Sequence, residues 1–153
     1  MDLAEKDGLL AFGGDLSTER LLLAYENGIF PWYSEDDPIL WWCPDPRFVL
    51  YPQYLRISTS MKQILKKGIF KITYNQAFED VIRNCKAIKR EGQAGTWITK
   101  EVESAYINLF EKGYAQSVEV WKDGELAGGL YGIKLGQCFF GESMFSKVSN
   151  ASK

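Results

Sequence analysis

The sequence contains no histidine. That absence excludes Ser-His-Asp and Cys-His catalysis, HExxH metal sites and haem held by histidine. Any chemistry must rest on carboxylates, tyrosine, amides, backbone groups or the substrate itself. Cysteine is scarce. Cys43, Cys85 and Cys138 are odd in number and far apart, fit no zinc-ligand spacing, and point to a reducing compartment, the cytoplasm. No apolar run approaches the ~18 residues of a transmembrane helix, so no membrane partner is expected. Met1 to Lys6 carries charge at Asp2, Glu5 and Lys6, unlike a signal peptide. No repeat or low-complexity stretch occurs.

What remains is a globular composition. The chain has 153 residues, 46% hydrophobic and 25% charged, which argues against disorder, collagen or coiled coil. A compact fold of this size buries roughly 68–70% of the surface of its unfolded chain, so it needs no disulfide or metal. The net charge of -2 conceals a division. Residues 1–55 sum to -7 and residues 91–153 to -2, whereas residues 56–90 sum to +7. That basic block holds Arg56, Lys62, Lys66, Lys67, Lys71, Arg83, Lys86, Lys89 and Arg90. It reads either as a solvated face or as a surface for nucleic-acid phosphates.

Local patterns give the expected elements. Residues 8–15 read as a glycine-rich loop. A helix follows, with Ser17 as cap, Leu21, Leu22 and Tyr25 inward and Gly28 as stop. Residues 29–47 hold four of the five prolines and three of the five tryptophans, and read as irregular structure. A second helix has Ser58 as cap, Met61, Ile64 and Leu65 inward, and Gly68 as stop. Residues 69–74 alternate as a strand. Asn75 is a candidate cap for a helix burying Phe78, Val81, Ile82 and Cys85. Another helix begins near Thr99 with Val102, Ala105, Tyr106 and Leu109 inward. Strands are expected over 116–122, 125–134 and 137–144, with turns at Asp123-Gly124 and Leu135-Gly136. Residues 149–153 resemble a helix start. The class is α+β, divided into a small aromatic and proline-rich lobe (1–55) and a second unit (56–153).

The order strand, helix, helix, antiparallel meander matches the first part of an acetyltransferase-like (Gcn5-related) mixed sheet with flanking helices. Acetyl-CoA enzymes of that fold place a glycine-rich phosphate loop after the fourth strand. Here Ser146 to Ala151 has no glycine, so CoA is not the expected donor. Gly13-Gly14-Asp15 is too short for a dinucleotide fingerprint and reads as a tight turn. Trp32, Trp41, Trp42 and Trp97 are either lobe core or a platform for stacking a base, and Trp42 is taken as core. Glu142, in an apolar strand, is paired, at a rim, or part of a site.

The segment GLLAFGGDLSTERLLLAYENGIFPWYSEDDPILWWCPDPRFVL (Gly8 to Leu50) closely resembles the N-terminal half of leucyl/phenylalanyl-tRNA–protein transferases. The likeness continues through GTWIT (Gly95 to Thr99), SVEVW (Ser117 to Trp121), GGLYG (Gly128 to Gly132), FFGESMFS (Phe139 to Ser146) and NASK (Asn150 to Lys153). The resemblance implies an aminoacyltransferase moving Leu or Phe, and less readily Met, from its tRNA to proteins beginning with Arg or Lys. That tags them for degradation by the N-end rule pathway. The implied partners are Leu-tRNA, Phe-tRNA and those proteins. No cofactor and no metal are implied. Trp32 and Trp97 would hold the 3′-terminal adenosine, with Tyr25 and Tyr106 nearby. Leu130, Phe139 and Met144 would wall the donor side-chain pocket. Glu142 would be the site carboxylate engaging the acceptor. The basic block, with Lys62, Lys66, Lys67, Arg83, Lys86, Lys89 and Arg90, would face the tRNA acceptor stem. A D-C-Q segment with catalytic Asp and Gln follows NASK in the family, so residues 1–153 alone are expected to be inactive. The alternatives are an acetyltransferase-like enzyme on a small molecule and a non-catalytic RNA-binding module.

Overall fold

The computed structural model describes residues 4–88 and 95–153. Lys89 and Arg90 lie outside the described residues. The α+β class is what the chain adopts. Strand β1 (Leu9–Phe12), helix α1 (Thr18–Glu26), and strands β2 (Phe30–Pro31) and β3 (Leu40–Trp42) come first. A 3₁₀ turn at Pro52–Tyr54 leads to α2 (Thr59–Lys67), β4 (Lys71–Tyr74), α3 (Phe78–Ala87) and α4 (Lys100–Glu111). The meander β5 (Ala115–Lys122), β6 (Glu125–Leu135) and β7 (Cys138–Ser146) follows. The strands form a three-stranded sheet, β1-β3-β2, and a four-stranded sheet, β4-β5-β6-β7. Every described pairing is antiparallel.

Elements with strong local signals form as expected. In α3, Phe78, Val81, Ile82 and Cys85 are all buried, because the 3.6-residue period puts them on one stripe. In α4, the Thr99 hydroxyl accepts from Val102 N, while Val102, Tyr106 and Leu109 face inward. Asp123 and Gly124 take φ of 52° and 85°, the positive pair that a type I′ hairpin requires. Phe78 stacks on Phe110 at 4.4 Å and meets Tyr131 edge-on at 5.8 Å, tying α3 and α4 to β6. The same core reaches Leu21, Ala24 and Tyr25 of α1.

Other expectations are corrected. Residues 8–15 are not all loop: β1 pairs with β3. Residues 29–47 hold β2 and β3 rather than only irregular chain. Proline is compatible with such short pairings, because Pro31 ends a two-residue strand. Trp41, not Trp42, is the core indole. Trp41 is 6% exposed and donates through Nε1 to Gly13 O at 2.9 Å. Adjacent strand residues point to opposite faces, so Trp42 lies on the outer one.

Helix α2 has its Ser58 cap and its Gly68 stop at φ 60°, yet none of its residues is fully buried. Met61 and Ile64 are half-buried and Leu65 is exposed. In β4 the inward residue is Thr73, while Ile72 and Tyr74 are exposed. Asn75 does not cap α3. Its φ is 57° and its Oδ1 accepts from Ser117 N at 2.8 Å, leaving Ala77 at the cap position. Ser17 occupies the cap position of α1 without a side-chain capping bond. The last hairpin turns at residues 136–137, one residue later than expected. Residues 149–152 form turns, with Asn150 at φ 71°, and not a helix start.

Candidate active site

Three side chains from three elements meet beneath β7. Tyr25 (α1) and Tyr106 (α4) are buried, and their hydroxyls lie 2.5 Å apart. The Tyr106 hydroxyl donates to Glu142 Oε2 at 3.4 Å. Each phenol carries one proton, so the two hydroxyls bring two donors to the cluster around the carboxylate. Phe140 covers Tyr25 at 5.4 Å, and Tyr131 meets Tyr106 edge-on at 5.8 Å.

Glu142 reaches this position through a β-bulge. Tyr131 pairs with Ser143 and the next residue, Gly132, pairs with Gly141, so Glu142 is the extra residue of β7. A bulge re-aims one side chain without changing the rest of the strand. Its geometry requires glycine at 132, where a Cβ would come within 2.1 Å of the Phe140 carbonyl oxygen. Glycine here accommodates close backbone approach.

Burial dominates the electrostatics. The pKa of Glu142 is pushed from 4.5 up to about 7 by desolvation, opposed by hydrogen bonds from Tyr25 and Tyr106 and by the positive charge of Arg47. Burial also raises both tyrosines well above 10, and the nearby Glu142 charge adds to the effect. The tyrosines therefore stay protonated donors, while the carboxyl exchanges its proton near neutrality. A group with those properties can accept a proton from an amine.

The expected pocket walls share the outer face of β6 and β7. Leu130 lies opposite Met144. Phe139 and Leu130 converge on Gly141, where a Cβ would meet both at 3.9 and 3.8 Å. Phe139 and Met144 are about half exposed.

Trp32 and Trp97 line one cavity of about 650 Å³, with Tyr33, Leu40, Trp42 and the acidic residues 35–37. Trp42 meets Trp32 edge-on at 5.7 Å and donates from Nε1 to the Trp32 backbone O at 2.7 Å, which fixes the Trp42 indole. The signal that Trp42 belongs here was the Trp41-Trp42 dipeptide in a strand, which must put one ring on each face.

The cations divide into two groups. Lys62, Lys66 and Lys67 are exposed on α2, and none is within 4 Å of a described carboxylate. Arg83 bonds Glu79 at 2.6 Å and approaches Glu103 at 3.5 Å, while Lys86 bonds Glu103 at 2.8 Å. Those two are engaged within the helices, unlike the α2 lysines. A buried carboxylate, Glu119, was not singled out from the sequence. It accepts from the Thr73 and Ser117 hydroxyls at 2.5 Å and from Gln76 N and Ala77 N at 3.4 Å. It ties β4 and β5 to the start of α3, a structural task.

Comparison with known proteins decides the family. Residues 49–153 match the family model for leucyl/phenylalanyl-tRNA protein transferase, and residues 14–45 match that family's N-terminal domain. The chain belongs to the leucyl/phenylalanyl-tRNA protein transferase family. The transferase of that name from Flavobacterium johnsoniae is 63% identical over 150 residues, covering 98% of this chain and 71% of the relative. That of Flavobacterium psychrophilum is 60% identical over 148 residues, covering 97% and 70%. That of Syntrophus aciditrophicus is 61% identical over 153 residues, covering 100% and 64%. Among the described residues, no helix of this family member is long and apolar enough to cross a membrane.

Proposed function

We propose that this chain holds aminoacyl-tRNA by its 3′-terminal aminoacyl-adenosine and provides the proton acceptor for aminoacyl transfer to a protein amine. The donors are Leu-tRNA and Phe-tRNA, and less readily Met-tRNA. The acceptors are proteins with N-terminal Arg or Lys, which the transfer tags for degradation in the cytoplasm. The observation that carries this reading is the cavity walled by Trp32, Trp42 and Trp97, whose indoles offer stacking faces for a base. Family membership supports the same chemistry.

In this reading the acceptor amine, once neutral, attacks the ester carbonyl. Glu142 takes up the amine's proton and returns it to the adenosine 3′ oxygen as the tetrahedral intermediate collapses, so the adenosine leaves as its 3′ hydroxyl and the carboxylate is restored. The ester is already activated, so the reaction requires no nucleotide cofactor. Leu130, Phe139 and Met144 select the donor side chain by shape, at ~1–3 kcal/mol per methylene. Lys62, Lys66 and Lys67 neutralise tRNA phosphates, and Arg83 and Lys86 contribute less because carboxylates hold them. Residues 1–55 act as the lobe presenting Trp32, and residues 56–153 as the unit presenting Glu142.

The test is binding of a non-hydrolysable Leu-tRNA. The intact chain should prefer it to the Val-tRNA analogue, and Trp97→Ala should weaken it about tenfold or more without unfolding the protein. Transfer of Leu to an Arg-initiated peptide is then assayed with the chain alone and with the chain extended by the remainder of the Flavobacterium johnsoniae relative. No turnover in the extended form, or transfer from acetyl-CoA instead, would overturn the reading.

A further inference from the structure

One cation of the N-terminal segment has no assigned task. Arg47 is exposed, and its guanidinium lies 4.6 Å above the ring of Phe30. It also donates to Gly28 O at 3.4 Å. None of the described carboxylates is within 4 Å of it. The contrast is Arg20, which is paired with Asp15 at 3.3 Å. A guanidinium with no described carboxylate within 4 Å, held over an aromatic ring, is arranged to meet an anion from outside.

Its place along the sheet says which anion. Phe30 and Trp32 are two residues apart and share one face of the β2 strand line. Phe30 pairs with Trp42, and Trp32 continues the line by donating from N to Leu40 O at 3.0 Å. The face therefore carries Arg47 over Phe30, beside Trp42, at one end and Trp32 in the middle. At the other end is the acidic turn of residues 35–37, closed by Asp37 N donating to Ser34 O at 3.0 Å. Phe30 and Trp32 are separated by about 7 Å, two strand residues, the scale of a nucleotide from base to 5′ phosphate. The carboxylates at the far end repel a phosphate, and the guanidinium attracts one.

We propose that Arg47 binds the 5′ phosphate of the terminal adenosine when its base lies on Trp32. It thereby fixes the polarity with which the 3′ end of the tRNA enters. This rests on the reading of the tryptophan cavity as the adenosine site and adds the residue that orients it. A wrongly oriented nucleotide would bring its phosphate against residues 35–37.

The probes are 3′-leucylamino-3′-deoxyadenosine and its 5′-monophosphate, stable amide analogues of the donor end, titrated against the whole chain. In the unmodified protein the phosphate should tighten binding by about tenfold at low salt, and the gain should shrink as salt rises. R47Q should abolish the gain and leave the 5′-hydroxyl compound bound as before. R47K should keep part of it, because a point charge replaces a planar fork. R20Q should keep all of it. A gain that survives in R47Q, no gain in the unmodified protein, or equal loss of both compounds in a folded R47Q would overturn the proposal. Failure of the unmodified protein to bind either compound would instead overturn the cavity reading beneath it.

Discussion

Replacing Glu142 with Gln isolates the cost of burying that carboxylate. Its pKa rises from 4.5 to about 7 on folding, chiefly through desolvation. At about 1.4 kcal/mol for each tenfold change in proton affinity, the difference amounts to about 3 kcal/mol. The direction follows from proton counting. Below pH 4.5 the carboxyl is protonated in both folded and unfolded chains, and its contribution is neutral. Between pH 4.5 and 7 the unfolded chain releases the proton while the folded chain retains it, so folding becomes steadily less favourable. Above about pH 8 both have released it and the penalty is complete. E142Q keeps an acceptor oxygen for Tyr106 and does not titrate. Its stability relative to the unmodified protein should therefore rise by about 3 kcal/mol from pH 4.5 to 8. At roughly 2–4 °C per kcal/mol for a chain of this size, the gap in Tm should widen by about 6–12 °C. Thermal unfolding of both proteins at five pH values across that range reads it directly. A gap that stays constant with pH would mean that Glu142 is solvated, and the argument for it as a neutral-pH proton acceptor would fail.

Three further predictions follow from other parts of the structure. E119A strands two hydroxyls and two amides at the start of α3, and at ~1–3 kcal/mol for each unsatisfied buried group it should cost about 3 kcal/mol or more in urea unfolding. W41A should cost about 3–5 kcal/mol, whereas W42A should cost far less stability and instead weaken donor binding; the reverse order would overturn the assignment of their faces. Changing Lys62, Lys66 and Lys67 together to Gln should lower the slope of log affinity for tRNA against log salt by about 2–3 and leave the preference for Leu over Val intact; an unchanged slope would make these lysines a solvated helix face.

Local chemistry was legible, and long-range choice was not. The stripe Phe78, Val81, Ile82, Cys85 and the Asp123-Gly124 turn each declare themselves within a few residues, so α3 and the hairpin could be placed from sequence. The apolar residues of α2 carry an equally clear helical period, but period does not say whether a partner surface exists. In the fold none of that helix's residues is fully buried. The tryptophans show the same limit: their clustering was visible, but which one faces the core depends on how β3 pairs with β1 and β2. Glu142 was identifiable as an unusual carboxylate in an apolar strand. Its pairing with two tyrosines depends on a bulge, a mismatch of register between two strands that no single segment encodes. Glu119 escaped notice because its four donors come from three separate places in the chain. For the site, the family resemblance put Tyr25 and Tyr106 near the adenosine, whereas in the fold they are buried against Glu142 and neither lines the tryptophan cavity. The 2.5 Å contact between them, from residues 81 positions apart, is a product of the tertiary fold.

The central claim is that the tryptophan cavity receives the aminoacylated 3′ end of a tRNA. The most direct measurement is the affinity of the chain for a non-hydrolysable Leu-tRNA, compared with the same tRNA lacking its terminal adenosine. Stacking of one base on these indoles is worth ~1–3 kcal/mol, so removing the adenosine should weaken binding by about tenfold or more at fixed salt. Equal affinity for the two RNAs would mean that only the phosphate backbone is recognised, and would contradict the assignment of Trp32 and Trp97.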